Sequence, residues 1–197
     1  MLVNQIDTER LDPRVKRTRQ LIEHTFQQLM KEKPFSSITV QDITTQAEIN
    51  RATFYAHYPD KFALVESITR GMFRAELDRR TLKTCTYTEP NLHALMVTVC
   101  EFVAMAGSSC KVTDAQFESL VENQVRQQVE AILEMWVEQI GGKNKAAAGE
   151  NHNATAATWA MYGLAQQWVH GRNPKKMDAE VYTRSVLHII RANLHAG

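Results

Sequence analysis

The chain has 197 residues, with 23 basic and 22 acidic side chains and 44% apolar residues. Charge this balanced excludes a polycation that holds its partners by bulk charge, and the apolar content suits one large globular domain or two small ones. Three cysteines, Cys85, Cys100 and Cys110, have no CxxC spacing and cannot pair evenly, which points to a reducing compartment and away from a metal site.

In chain order, Met1 to Leu11 is polar and reads as a disordered arm. Arg14 to Lys33 reads as a long helix, because Val15, Thr18, Ile22, Phe26, Leu29 and Met30 recur at three- and four-residue steps. Asp12 is its candidate cap, with Pro13 beside it, and Pro34 stops it. Thr39 caps a short second helix. Asp42 lies three residues on, where it can reach back to the cap, and Ile38 and Ile43 have the spacing of a hydrophobic staple. Glu48-Ile49-Asn50 is a turn, and Asn50 caps a third helix, Arg51 to His57. That helix is too short to stand alone. Phe54 is its expected buried residue, which leaves Arg51, Ala52, Thr53, Tyr55 and His57 for other faces. A longer helix is expected from Pro59 to about Arg80, marked by Phe62, Val65, Ile68, Met72 and Ala75.

Thr81 to Glu89 reads as a loop. Pro90 to Ala106 is helical with Leu92, Leu95, Met96, Val99, Phe102 and Val103 inward, and Gly107-Ser108-Ser109 breaks it. Thr113 and Gln116 form a candidate capping box for a helical region to Ile140, with Phe117, Leu120, Val121, Val125, Val129, Ile132, Leu133 and Trp136 at helical spacing. Gly141 to Glu150 is a loop. Asn151 or Asn153 then caps a helix to about His170 with small residues Ala156, Ala160 and Gly163 on one side. After a turn over Gly171 to Lys176, Asp178 caps a last helix carrying Val181, Tyr182, Val186, Leu187, Ile189, Ile190 and Leu194. That helix is apolar on more than one side, more than packing within one chain needs, so one side is expected to meet a second subunit. No signal peptide and no apolar run of membrane-spanning length is present. The expectation is a soluble, cytoplasmic protein with no membrane partner.

Two short helices joined by a tight turn are a helix-turn-helix, whose second helix enters the major groove of DNA. Arg51 can pair with guanine, Ala52 lets the backbone come close, and Thr53 can reach a base edge or phosphate. Tyr55, His57 and Lys61 are donors suited to phosphate oxygens. Arg14 to Lys61 holds eight basic and five acidic residues, a local excess of three, with four bases between Arg14 and Arg19.

The run ITVQDITTQAEINRATFYAHYPDKFALV resembles the DNA-binding domain of the TetR/AcrR family of bacterial repressors. The resemblance falls on Thr53, Phe54, Tyr55, His57, Tyr58, Lys61 and Leu64 and covers roughly residues 14 to 75. It implies an all-α fold: a three-helix DNA-binding domain with the helix-turn-helix at residues 1–58, a connecting helix at 59–80, and a larger helical effector-binding and dimerisation domain at 81–197. The implied DNA-binding residues are Thr39, Arg51, Ala52, Thr53, Tyr55, His57 and Lys61. The implied partners are a palindromic double-stranded operator, a small-molecule effector and a second copy of the chain, met through the last two long helices. Two recognition helices on a twofold axis read half-sites roughly 34–36 Å apart.

Candidate residues for an effector pocket are Met96, Cys100, Phe102, Phe117, Leu120, Trp136, Trp159 and Met161, with Met105 and Met135 beside them. They suit an apolar or aromatic ligand, with ordinary core as the competing reading. The expected protein is a ligand-responsive DNA-binding regulator without cofactor or catalytic residues, a repressor released by a small molecule. One alternative is a helix-turn-helix coactivator or partner-binding module without its own effector. Another is an all-helical di-iron carboxylate enzyme, for which Glu89 and His93 are the nearest candidates.

Overall fold

The structure, a computed structural model, describes residues 12–81, 86–108, 114–141, 152–171 and 177–194. Every regular element among them is helical: α1 (Pro13–Glu32), a 3₁₀ turn (Phe35–Ser37), α2 (Val40–Gln46), α3 (Arg51–Tyr55), α4 (Lys61–Arg80), α5 (Glu89–Ser108), α6 (Ala115–Gly141), α7 (His152–His170) and α8 (Ala179–Leu194). Contacts divide the chain into two compact units. Residues 1–68 and 110–117 make the first, and 69–109 and 118–197 the second. The division falls inside α4, so α4 and α6 each begin in the first unit and continue in the second. Among the described residues no helix is long and apolar enough to cross a membrane. The expected N-terminal arm, Cys85, Cys110, Thr113, the 142–150 loop, Asn151 and the turn at 172–176 lie outside the described residues.

In the first unit, α1 starts where Asp12 accepts from the Arg14 N–H at 2.8 Å, and Pro13 needs no partner at that position. Its buried face is Ile22, Thr25, Phe26 and Leu29. Phe35 in the 3₁₀ turn is fully buried and gathers three rings around it: Phe26 at 6.1 Å, Phe62 at 5.5 Å and Phe117 at 5.8 Å between centroids. The capping box of α2 is complete: Thr39 Oγ1 accepts from the Asp42 N–H, and Asp42 Oδ2 accepts from the Thr39 N–H. This helix ends in a Schellman motif. Ile49 N–H donates to the Thr44 carbonyl at 3.0 Å and Glu48 N–H to that of Thr45 at 3.3 Å, which places Glu48 at φ 53°, the left-handed region.

Asn50 caps α3 by accepting from the Ala52 N–H at 2.9 Å. The helix ends at Tyr55 rather than His57, as Ala56 and His57 close it with a turn. Helix α4 begins at Lys61, two residues after the expected start, because Asp60 is its cap and accepts from the Ala63 N–H at 2.8 Å. The inward residues beyond its second turn are Thr69, Phe73 and Leu77, while Met72 and Ala75 are exposed. Phe73 sets that facing, with its ring edge-on to Phe102 at 5.6 Å.

In the second unit, α5 is buried almost all round, including every residue expected to face inward, and it packs against α7 and α8. It runs on through Gly107 and Ser108, where a break was expected. Helix α6 is unbroken, with Val121, Val125, Val129, Leu133 and Trp136 buried. Asp114 caps it, accepting from the N–H groups of Gln116 and Phe117 at 3.1 and 3.2 Å. Asp178 caps α8 in the same way. Arg80 joins three helices by pairing with Glu76, Glu101 and Glu180.

Candidate nucleic-acid interface

Phe54 is fully buried and fixes which way α3 faces. With that ring inward, helical spacing turns Arg51, Ala52 and Tyr55 outward, and all three are exposed, while Thr53 is half-buried. Tyr55 is 48% exposed, and its ring stands edge-on to Phe54 at 5.6 Å. Arg51 Nη2 lies 3.5 Å from the Tyr55 hydroxyl, one helical turn on, so the guanidinium and phenol share one outward face. On α2, Gln41 and Thr45 are also exposed and are joined by a 2.9 Å hydrogen bond. Sequence reasoning missed this pair, although both lie on the face of α2 opposite the buried Ile43 and Ala47.

Of the remaining expected DNA contacts, Thr39 and Lys61 have hydrogen-bond partners within the fold. Thr39 is exposed, but its hydroxyl donates to Asp42 Oδ2 at 2.8 Å as part of the cap. The bond from Lys33, then those from Thr39, pull the Asp42 carboxyl down to about 2. His57 is half-buried; burial, and then the positive charge of Arg19, hold its pKa below the ordinary value, which favours the uncharged ring. Lys61 differs most from a phosphate-gripping side chain. Its ammonium donates to the carbonyls of Phe35 at 2.9 Å, Ser36 at 3.3 Å and Ile38 at 2.8 Å, and lies 4.4 Å from the Phe35 ring centroid. Three donors meet three carbonyls, so the group is internally satisfied. Arg19 likewise leaves the basic cluster, donating to Tyr58 at 3.2 Å and Ser67 at 3.2 Å, while Arg14, Lys16 and Arg17 are exposed.

The candidate pocket residues divide. Met96, Cys100, Phe102, Trp136 and Met161 are buried in the second unit, and Leu120 and Met135 are half-buried there. Burial pushes the Cys100 thiol up to about 12, which leaves it protonated and unreactive. Two residues fall elsewhere. Phe117 belongs to the first unit, against Phe35. Trp159 is 52% exposed, with the Arg126 guanidinium 4.4 Å from its ring centroid, and Met105 is exposed as well. Glu89 pairs with Arg191, and His93 Nε2 lies 2.8 Å from the Thr183 hydroxyl. Among the described residues no cluster of three metal-ligating side chains forms around them.

Residues 27–68 match the family described as bacterial regulatory proteins, tetR family. The chain is 35% identical over 75 residues to the uncharacterized HTH-type transcriptional regulator YxbF of Bacillus subtilis (strain 168), a match covering 38% of this chain and 20% of that protein. It therefore spans about a fifth of the length of that relative. Its fold is similar to a solved TetR transcriptional regulator from Streptococcus agalactiae 2603V, with a TM-score of 0.54 and 20% identity over 90% of this chain and 95% of that one. It is also similar to RolR solved in complex with resorcinol, with a TM-score of 0.50 and 14% identity over 93% and 96% of the two chains. The helix-turn-helix segment is thus similar to the tetR family of bacterial regulatory proteins, and the fold that carries it is similar to that of a solved TetR regulator.

Proposed function

We propose that the chain is a sequence-specific DNA-binding repressor, released from a palindromic operator by a small molecule. The observation that carries this reading is the outward face of α3, where Arg51, Ala52 and Tyr55 stand exposed over a buried Phe54. A guanidinium beside a small residue on an exposed helix is the chemistry that reads guanine in a major groove. Arg14, Lys16 and Arg17, exposed at the start of α1, add positive charge for the phosphates.

A second copy of the chain supplies the second recognition helix. Ala156, Trp159 and Gly163 are exposed along α7, and Val181 and Ile189 along α8. A Cβ added at Gly163 meets nothing within 4 Å in the single chain. Such a small-and-apolar face supports close packing of α7 and α8 on a twofold partner. The effector is proposed to be apolar or aromatic, held in the second unit near Met96, Cys100, Phe102, Trp136 and Met161. The complex of RolR with resorcinol, a small aromatic, agrees with that class.

Selection of bound sequences from random duplexes tests the reading. It should return two inverted half-sites at one separation, and binding should fall steeply with salt. Recovery of unrelated sequences at every salt concentration contradicts it. A reporter driven from the recovered operator then reads the sign, and silencing by the chain is expected.

A further inference from the structure

The 3₁₀ turn Phe35–Ser37 is held from two directions by helices that both run on into the second unit. From α4, Lys61 donates to the carbonyls of Phe35, Ser36 and Ile38. From α6, Asp114 Oδ2 accepts the Ser36 N–H at 2.7 Å, while its Oδ1 caps α6 itself. Asp114 is 6% exposed, and the neighbouring rings of Phe35 and Phe117 lie tilted to each other, 5.8 Å between centroids. Burial works against its charge, but the N–H groups of Ser36, Phe117 and Gln116 outweigh that and hold the carboxyl below the usual range. The turn leads within one residue to Ile38 and then to Thr39, the cap of α2, so whatever fixes the turn fixes the start of the helix-turn-helix.

We infer that Asp114 is a positioning residue for DNA recognition: it ties the first turn of α6 to the turn before α2, as a second anchor beside Lys61 on α4. The inference rests on the reading of the chain as a dimeric DNA-binding protein. One carboxylate serves two backbones at once, so α6 cannot slide along its axis without loosening either its own cap or the Ser36 bond. With both anchors in place, the turn before α2 is fixed to the first turns of α4 and α6. With the α6 anchor cut, α3 keeps its own contacts but its placement becomes less defined. The consequence is specific. Half-site sequence is read by α3 and should not change, whereas the separation of half-sites is set by placement and should broaden.

The test compares duplex selection by the full chain, by Asp114→Ala, by Asp114→Asn and by Asp12→Ala. The last removes the cap of α1 in the same unit without touching the turn. Asp114→Ala should recover the wild-type half-site at separations spread by a base pair or two. Its affinity for the wild-type spacing should drop roughly threefold to tenfold, the worth of one hydrogen bond. Asp12→Ala should lose stability and keep the single separation. If Asp114→Ala does not fold, Asp114→Asn, which keeps an acceptor for the cap, is read in the same way. One unchanged separation in a folded Asp114 variant, or an altered half-site, overturns the inference. If the wild-type chain selects no paired half-sites, the functional reading fails first. The tie is then judged by amide exchange at Ser36, which should be faster in Asp114→Asn than in wild type; equal rates overturn it.

Discussion

Replacing Lys61 with Met separates two roles that one lysine can play. Methionine keeps an unbranched apolar stem of similar length and removes the ammonium. The carbonyls of Phe35 and Ile38, at 2.9 and 2.8 Å and part-buried, lose a charged donor, and the more exposed Ser36 carbonyl, at 3.3 Å, turns to water. Hydrogen bonds to charged groups contribute about 1.5–3 kcal/mol each, and sharing one donor group makes the two part-buried bonds less than additive. Loss of the cation over the Phe35 ring, 4.4 Å away, adds about 0.5–1 kcal/mol. The expected cost is about 3 kcal/mol, read as a lower urea midpoint for the first unit by circular dichroism. The opposite outcome is an unchanged midpoint with the salt slope of DNA binding reduced by about one, the mark of a lysine on a phosphate. That result would return Lys61 to the DNA-contact set and refute the structural role.

Three further outcomes are expected. The Asp42 carboxyl sits at about 2, below its model-compound value of 3.8, so its stabilisation is present above about pH 4 and fades as the pH falls toward 2. Its side chain is 33% exposed, so solvent screening trims the contribution to about 1 kcal/mol. Stability curves of wild type and Asp42→Asn should therefore converge on acidification, and curves that stay parallel contradict the assignment. Glu48 occupies the left-handed region at φ 53°, so Glu48→Gly should raise stability by up to about 1 kcal/mol in thermal melts, and a fall contradicts the strain. Gly163→Leu should leave the monomer fold intact, since a Cβ at this exposed position meets nothing within 4 Å, yet shift sedimentation from dimer to monomer. A variant that stays dimeric moves the interface elsewhere.

The helix-turn-helix was legible because its signals are local. Thr39 with Asp42, Asn50 before Arg51, and Phe54 as the buried residue each act within a few positions of the chain. The all-helical fold followed from periodicity. What escaped was set by distant partners. The ring of Phe102 turned Phe73 inward on α4 in place of Met72, although both choices fit a helical stripe. Lys61 reads as a phosphate donor until the carbonyls of the 3₁₀ turn are seen around it, and Arg19 reads as surface charge until Tyr58 and Ser67 take its donors. Asp114 stood one residue from the expected capping box, and no spacing rule connects it to Ser36, 78 residues away. The pocket candidates were chosen by residue type, and type does not separate buried Met161 from exposed Trp159 on the same helix.

The central claim is that the exposed face of α3 reads bases, with Arg51 on guanine. Substituting 7-deazaguanine for each guanine of the selected duplex removes the N7 acceptor and little else. The wild-type chain should lose roughly tenfold in affinity at one guanine per half-site, as a bidentate arginine contact of about 1–3 kcal/mol requires. Arg51→Ala should bind the natural duplex more weakly by about the same factor and be indifferent to that substitution. Equal losses in both proteins, or none in the wild type, contradict the claim.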